Sequence, residues 1–297
     1  MMMTEKRIGV IIVLMASLMW AIEPVLAKLS YQQADFIHTS ATRAIVVCLL
    51  AFLYVIFSKN KSFKITKKEG TVLIYIAIMG TLFADLLYFY ALTRIPVINA
   101  VIIGHLQPLF IILFGFLLLK TDKLYPVDYI GIALLMISAV FVTTKTLSNA
   151  VMLSFGSPGD AIVLLATIAW ATTAIAMRKF LPTMHAGVIT FYRFLFASVF
   201  FGFYLIIHQL FTFYLFQIAT GIVVGIGTIC YYEGLKRLKA AQVSALELGA
   251  PVFAAIIGFI VLGEQVTWMQ IVGIILLFFG IRFLSKQEQI ETSTIKS

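Results

Sequence analysis

Ten stretches of about twenty apolar residues, separated by short polar connections, leave this chain few ways to fold. They cover residues 8–30, 36–57, 70–92, 95–119, 125–144, 159–179, 183–207, 212–235, 240–262 and 266–284. A bilayer core ~30 Å thick is crossed by roughly 20 helical residues. Backbone in lipid must satisfy its own N–H and C=O groups, and a helix does so within one segment. A water-filled barrel would instead alternate apolar and polar residues. The expected fold class is an all-α polytopic membrane protein with ten transmembrane helices. Composition excludes the competitors. The chain is 62% hydrophobic and 12% charged, whereas a soluble domain carries roughly 25% charged residues and cannot expose such apolar surface without aggregating. Disorder is excluded on the same ground.

Most connections are too short for an extramembrane domain; the longest run from Ser58 to Glu69 and from Lys145 to Pro158. Function therefore belongs to the helices. The net charge of +9 is read as topology rather than nucleic-acid binding. With the N-terminus inside, 17 Lys and Arg fall in inside segments and three outside (Lys28, Arg94, Lys145), so both termini are expected in the cytoplasm. Two charges before an apolar run mimic a signal peptide. The run continues to Ala21 and then meets Glu23 and Pro24 rather than a small-residue cleavage site, so it reads as a retained first span. Cys48 and Cys230 lie in apolar runs, which argues against a disulfide or zinc framework.

The chain also repeats itself. Trp20 and Trp170, Lys28 and Arg178, and Arg43 and Arg193 are each 150 residues apart. Later the offset is 143: Leu92-Thr93-Arg94 meets Leu235-Lys236-Arg237, Pro108 meets Pro251, and Gly115-Phe116 meets Gly258-Phe259. Gly131 to Leu135 matches Gly273 to Leu277 at 142. Two five-helix halves follow, 8–144 and 159–284, with a cytoplasmic tail over 285–297. Five spans per half invert the second half relative to the first, the arrangement of alternating-access transporters with a midplane site between the repeats.

This pattern resembles the drug/metabolite transporter superfamily, EamA-type ten-helix permeases. The resemblance rests on Trp20 with Lys28 and Trp170 with Arg178 in the first helix of each half. It also rests on Arg43 and Arg193 in the second helices, Pro108 and Pro251 in the fourth, and the closing Leu262-Gly263-Glu264 with Gly273 and Gly280. It covers about Ile8 to Leu284. The first half departs by carrying Lys120-Thr121 where Glu264 has its counterpart, and Trp-Ala pairs replace the commoner Trp-Gly. The resemblance implies a plasma-membrane permease, an exporter of amino acids or related metabolites. The alternative is a cation/drug antiporter. Small multidrug relatives place a first-helix Glu eight residues before a Lys, but here that position is Trp20, with Glu23 three residues on. A membrane enzyme or a channel finds no support: there is no catalytic motif, no cofactor or metal cluster, and no ring of like groups.

Ionisable groups inside spans are costly and call for a protein or water-lined environment. Helical rise puts Glu23, Arg43, Asp85 and His105 from the outer half to midplane, and Arg193, Glu233 and Glu247 from the inner surface to midplane. Two gating or coupling networks are expected, one on each side. Static helix glue is the alternative for the arginines, and interfacial snorkelling for Glu233. Pro24, Pro108 and Pro251 are expected helix bends that free carbonyls. Trp20, Tyr88, His105, Gln107, Trp170 and Tyr231 are candidate substrate contacts; Tyr90 and Tyr232 are further candidate walls. Gly221 with Gly225, and Ala254 with Gly258, read as close helix packing. Phe191, Phe194, Phe196, Phe200, Phe201 and Phe203 read as lipid-facing. Expected partners are a small-molecule substrate, the bilayer and a coupling proton, since a carboxylate in a partly dry cavity can exchange one near neutral pH. A monomer and a homodimer both fit.

Overall fold

The computed structural model describes residues 5–58, 62–95, 100, 103–104, 106–118, 124–152, 157–253, 256–257 and 266–285, and among them regular structure is helical throughout. The helices of the apolar runs are α1 (Glu5–Ser30), α2 (Phe36–Phe57), α3 (Lys67–Leu92), α4 (Gln107–Leu118) and α5 (Pro126–Thr144) in the first half, and a single short turn of helix, Leu147–Val151, lies in the connection to the second. The second half has α6 (Pro158–Phe180), α7 (Ala186–Ile207), α8 (Leu215–Arg237), α9 (Ala240–Glu247) and α10 (Trp268–Ser285). Each apolar run of the sequence carries one of them. Seven are long and apolar enough to cross a membrane, and Trp268–Leu284 is a shorter apolar helix. The expected spans 95–119 and 240–262 are described only in part. His105, Lys120, Thr121, Ala254, Gly258, Leu262 and Glu264 lie outside the described residues.

Helix starts follow local chemistry. The Asp35 carboxylate accepts from His38 N at 2.7 Å and caps α2. Thr66 with Glu69 and Ser157 with Asp160 form capping boxes at α3 and α6, and Pro158 occupies the first turn of α6. Each device satisfies N–H groups that the first helical turn leaves without partners.

Packing is organised by the repeat. The most extensive pairings are α1 with α8, α5 with α10, α2 with α7 and α3 with α6, followed by α2 with α8, α4 with α6, α7 with α3, α9 with α4 and α1 with α9. Exchanging each helix for its equivalent five places along maps these pairs onto one another. α1/α8 becomes α6/α3, α4/α6 becomes α9/α1, and α2/α7, α4/α9 and α5/α10 map onto themselves. The self-paired couples α2/α7 and α5/α10 run antiparallel. On α2 and α7, Cys48 Sγ reaches Phe191 O while Tyr54 meets His185. On α5 and α10, Ser138 Oγ donates to Gly273 O at 2.6 Å, and a Cβ on Gly280 would lie 3.1 Å from Gly131 O. Those two contacts are themselves equivalents. The halves are therefore inverted, and they interleave, since α1 packs chiefly on α8 of the other half.

Gly221 lies on the face of α8 against α2, where a Cβ would come 2.5 Å from Val46 Cβ and 3.2 Å from Arg43 O. The small side chain permits the approach, as the spacing suggested. The phenylalanines of α7 divide. Phe200 and Phe203 are exposed, but Phe194 and Phe201 are fully buried against α2 and α8, so the expected lipid-facing stripe is narrower than six residues. A helix has 3.6 residues per turn, and seven residues bring Phe194 and Phe201 back to one inward face.

Candidate functional site

The middle of α3, Ala77–Asp85, is π-helical. Such widened turns are rare and favour functional positions. This one ends at Asp85, which faces inward at 6% exposure. Its Oδ2 accepts from Arg43 Nη2 at 2.7 Å, its Oδ1 accepts from Trp170 Nε1 at 2.8 Å, and Arg193 Nη2 lies 3.7 Å from Oδ2. Arg43 Nη1 donates to Glu23 Oε1 at 3.0 Å. Arg193 donates from Nε to Thr81 Oγ1 at 2.8 Å and from Nη1 to Tyr232 OH at 3.0 Å. Room for Arg193 comes from Gly80, where a Cβ would stand 3.0 Å from Nη2. Each guanidinium also covers an aromatic ring, Arg43 over Phe89 at 4.6 Å and Arg193 over Phe194 at 5.2 Å. Buried charges persist only where paired and hydrogen-bonded, and every charged group of this cluster has an ionic or hydrogen-bonding partner, although Arg43 Nε itself finds none among the described residues.

The cluster forms part of the wall of a cavity of about 370 Å³ shared by both halves. The expected residues Trp20, Glu23, Arg43, Asp85, Tyr88, Gln107, Trp170, Arg193, Tyr231, Glu247 and Pro251 all line it. Two aromatic pairs face it: Trp20 meets Tyr231 edge-on at 5.5 Å, and Trp170 meets Tyr88 at 5.2 Å. Tyr88 and Tyr231 are 143 residues apart, so the two pairs are equivalents under the repeat. The acids break that equivalence. At the same offsets, Glu23 faces Thr173, Asp85 faces Thr228 and Glu247 faces Gly104.

Several expectations change. Asp85 gathers both arginines into one cluster with Glu23, while Glu233 and Glu247 stand outside it, so the expected inner network of Arg193, Glu233 and Glu247 does not form. Helical rise ordered the charges by depth but could not reveal that α2, α3, α6 and α7 converge on one carboxylate. Glu233 stays out of the cavity; it pairs with Lys236 at 3.1 Å and with Arg237, which in turn meets Glu5 at 3.1 Å. Tyr90 packs on Phe36 and Arg94 instead. Tyr232 is buried as the Arg193 acceptor. α1 runs unbroken through position 24, whereas Pro108 begins α4 and Pro251 follows a turn at Leu248–Gly249. Proline can occupy a first helical turn, where its missing N–H costs nothing. The sequence reading missed Thr81, Phe89 and Thr228; their polar or aromatic side chains are ordinary for a span, and only adjacency singles them out.

Toward the end of the bundle that carries Glu5, the interior is solid. Val13, Ala16, Ser17, Leu235, Val243 and Leu246 are buried. Ser17 Oγ donates to Leu246 O at 2.9 Å, Arg178 Nη1 to Leu235 O at 2.7 Å, and Gln242 Nε2 to Asp128 Oδ1 at 2.7 Å. In the other direction the cavity wall reaches Val25, which is 60% exposed.

Comparison with known proteins yields one consistent result. The model of the EamA-like transporter family matches residues 7–144 and again 157–286. The uncharacterized transporter sll1164 of Synechocystis is 29% identical over 255 residues, covering 79% of this chain and 72% of the relative. An uncharacterized transporter of Methanothermobacter thermautotrophicus is 27% identical over 231 residues, covering 74% and 66% respectively. A solved crystal structure superimposes with a TM-score of 0.76 at 19% identity, covering 93% of this chain and 95% of the other, which is a likeness of fold.

Proposed function

We propose that this chain, which belongs to the EamA-like transporter family and is a multi-pass membrane transporter, exports a small organic metabolite by alternating access. The observation that carries the mechanism is the shared cavity. Its aromatic and arginine framework is duplicated across two inverted halves, so exchanging equivalent contacts between the interleaved repeats exposes the same wall to either side. The cavity is solid below at the Glu5 end. With both termini in the cytoplasm, as the Lys and Arg distribution argues, this conformation is closed to the cytoplasm and faces outward across the plasma membrane.

The cluster at Asp85 acts as the lock. It ties α1, α2, α3, α6 and α7 through four charged groups and one indole, and opening the opposite face requires those contacts to exchange. Protons are the coupling ion in this reading. Glu23 and Asp85 are held by Arg43, so Glu247 is the wall carboxylate free to exchange one.

The test compares intracellular and medium metabolites in cells with and without the gene. At least one small solute is expected to accumulate in the medium only when the gene is present, and Asp85→Asn should abolish that accumulation. An unchanged distribution, or export that survives Asp85→Asn at normal protein level, overturns the reading.

A further inference from the structure

Resting on the transporter reading above, we propose that the cavity takes an organic monocation, an amine with an apolar or aromatic body, and that Glu247 is the anionic partner of its head group. The first support is charge. Among the described wall residues stand the carboxylates of Glu23, Asp85 and Glu247 and the guanidiniums of Arg43 and Arg193. Arg43 is taken by Glu23 and Asp85, and Arg193 by Asp85, Thr81 and Tyr232. Glu247 has no hydrogen bond or ion pair among the described residues. Two guanidiniums serve Glu23 and Asp85, so Glu247 is the wall carboxylate that no described arginine meets, and when it is ionised a bound cation is its natural partner. An anionic head group would have to displace a carboxylate from an arginine; a cation need displace nothing.

The second support is backbone. α9 ends at Glu247, and the chain turns at Leu248–Gly249 before Pro251. Pro251 has no N–H to offer the carbonyl four residues earlier, which is that of Glu247 itself. A helix C-terminus carries partial negative charge, and half-helix C-termini inside a membrane coordinate cations. Carboxylate, freed carbonyl and helix end thus meet at one point on the wall. The repeat equivalent of Glu247 is Gly104, so the anionic corner exists once.

The third support is the remaining wall. The pairs Trp20–Tyr231 and Trp170–Tyr88 supply faces for an apolar body and for cation–π contact. Gln107, whose side chain also has no partner among the described residues, adds a carbonyl acceptor. A volume of about 370 Å³ fits a small organic molecule. Because an ammonium and a proton compete for one carboxylate, such a site exchanges one for the other.

The experiment uses the purified full chain in detergent and three probes with the same body: phenethylamine, 2-phenylethanol and 3-phenylpropionate. Binding is read from quenching of tryptophan fluorescence and from the thermal unfolding temperature. Phenethylamine should bind saturably and at least tenfold more tightly than the alcohol or the acid. Glu247→Gln should cut that preference below twofold, and Glu247→Asp should keep part of it. Equal or tighter binding of the acid or the alcohol overturns the proposal, as does saturable binding of none of the three, or an amine affinity unchanged in Glu247→Gln. Should Glu247→Gln not fold, the three probes on the unaltered chain decide alone. The transporter reading fails separately: a protein that prefers the amine but exports no solute keeps the site and loses the transport, and the converse loses only the cation site.

Discussion

Neutralising Asp85 is the sharpest perturbation of the lock. Its carboxylate takes Arg43 at 2.7 Å and the Trp170 indole at 2.8 Å, and the Arg43 and Asp85 side chains are only 3% and 9% exposed. At an effective dielectric of 20, two charges ~4 Å apart attract by about 4 kcal/mol. Removing one partner of a buried pair costs about 3–5 kcal/mol, because the other charge stays buried without it. Asp85→Asn keeps an acceptor for Trp170 but leaves Arg43 with Glu23 alone, so that range is the expected loss. Arg43→Gln should cost a similar amount. The double variant has neither charge, and its loss should fall short of the sum by about 2–3 kcal/mol, the coupling of the pair. The four proteins are to be unfolded by dodecyl sulfate titration in mixed micelles, with helix content as the signal. A coupling below about 0.5 kcal/mol would mean that cavity water already screens the pair, and the cluster could not then serve as a lock.

Trp170→Phe should destabilise more than Trp20→Phe, by about 1.5–3 kcal/mol, because only Trp170 donates to the carboxylate of Asp85; equal losses in the same titration would refute this. Gly221→Leu should cost about 1–3 kcal/mol or more by overpacking, since even a Cβ there comes 2.5 Å from Val46 Cβ. Gly202→Leu, with open space around it, should be near neutral. A cysteine replacing Lys64 should react with an impermeant maleimide only in inverted vesicles or lysed cells, and labelling in intact cells would reverse the orientation. Ser17→Ala removes the α1–α9 bond at the solid end and should raise labelling of a cysteine replacing Thr228 from the cytoplasmic side; no change would show that this bond plays no part in closure.

Some of this was legible in the chain itself. Hydrophobic runs are a local property, and a bilayer translates run length directly into a spanning helix. The duplicated Trp, Arg, Pro and Gly positions are also local pattern, and they revealed two related halves before any contact was known. The same pattern brought Trp20, Trp170, Arg43 and Arg193 forward, aromatic character brought Tyr88 and Tyr231, and all six line one cavity. The π-helical turn of α3 left no such trace, because Ala77–Asp85 reads as ordinary apolar span.

What the sequence by itself determined is that its apolar runs are helices and that one half is inverted against the other. Those follow from 20-residue apolarity and from counting an odd number of helices. The tertiary structure alone decided which charges meet. Asp85 lies 42 residues from Arg43, 85 from Trp170 and 108 from Arg193. Nothing in their spacing says that α3 passes between α2, α6 and α7. Glu23, Glu233 and Glu247 differ in the sequence only by their depth along a span. In the fold they differ through what the helices set beside them: an arginine, a surface cluster of bases, and an open cavity. Coulomb energy depends on ångströms and on burial, and neither is encoded at any fixed distance along the chain.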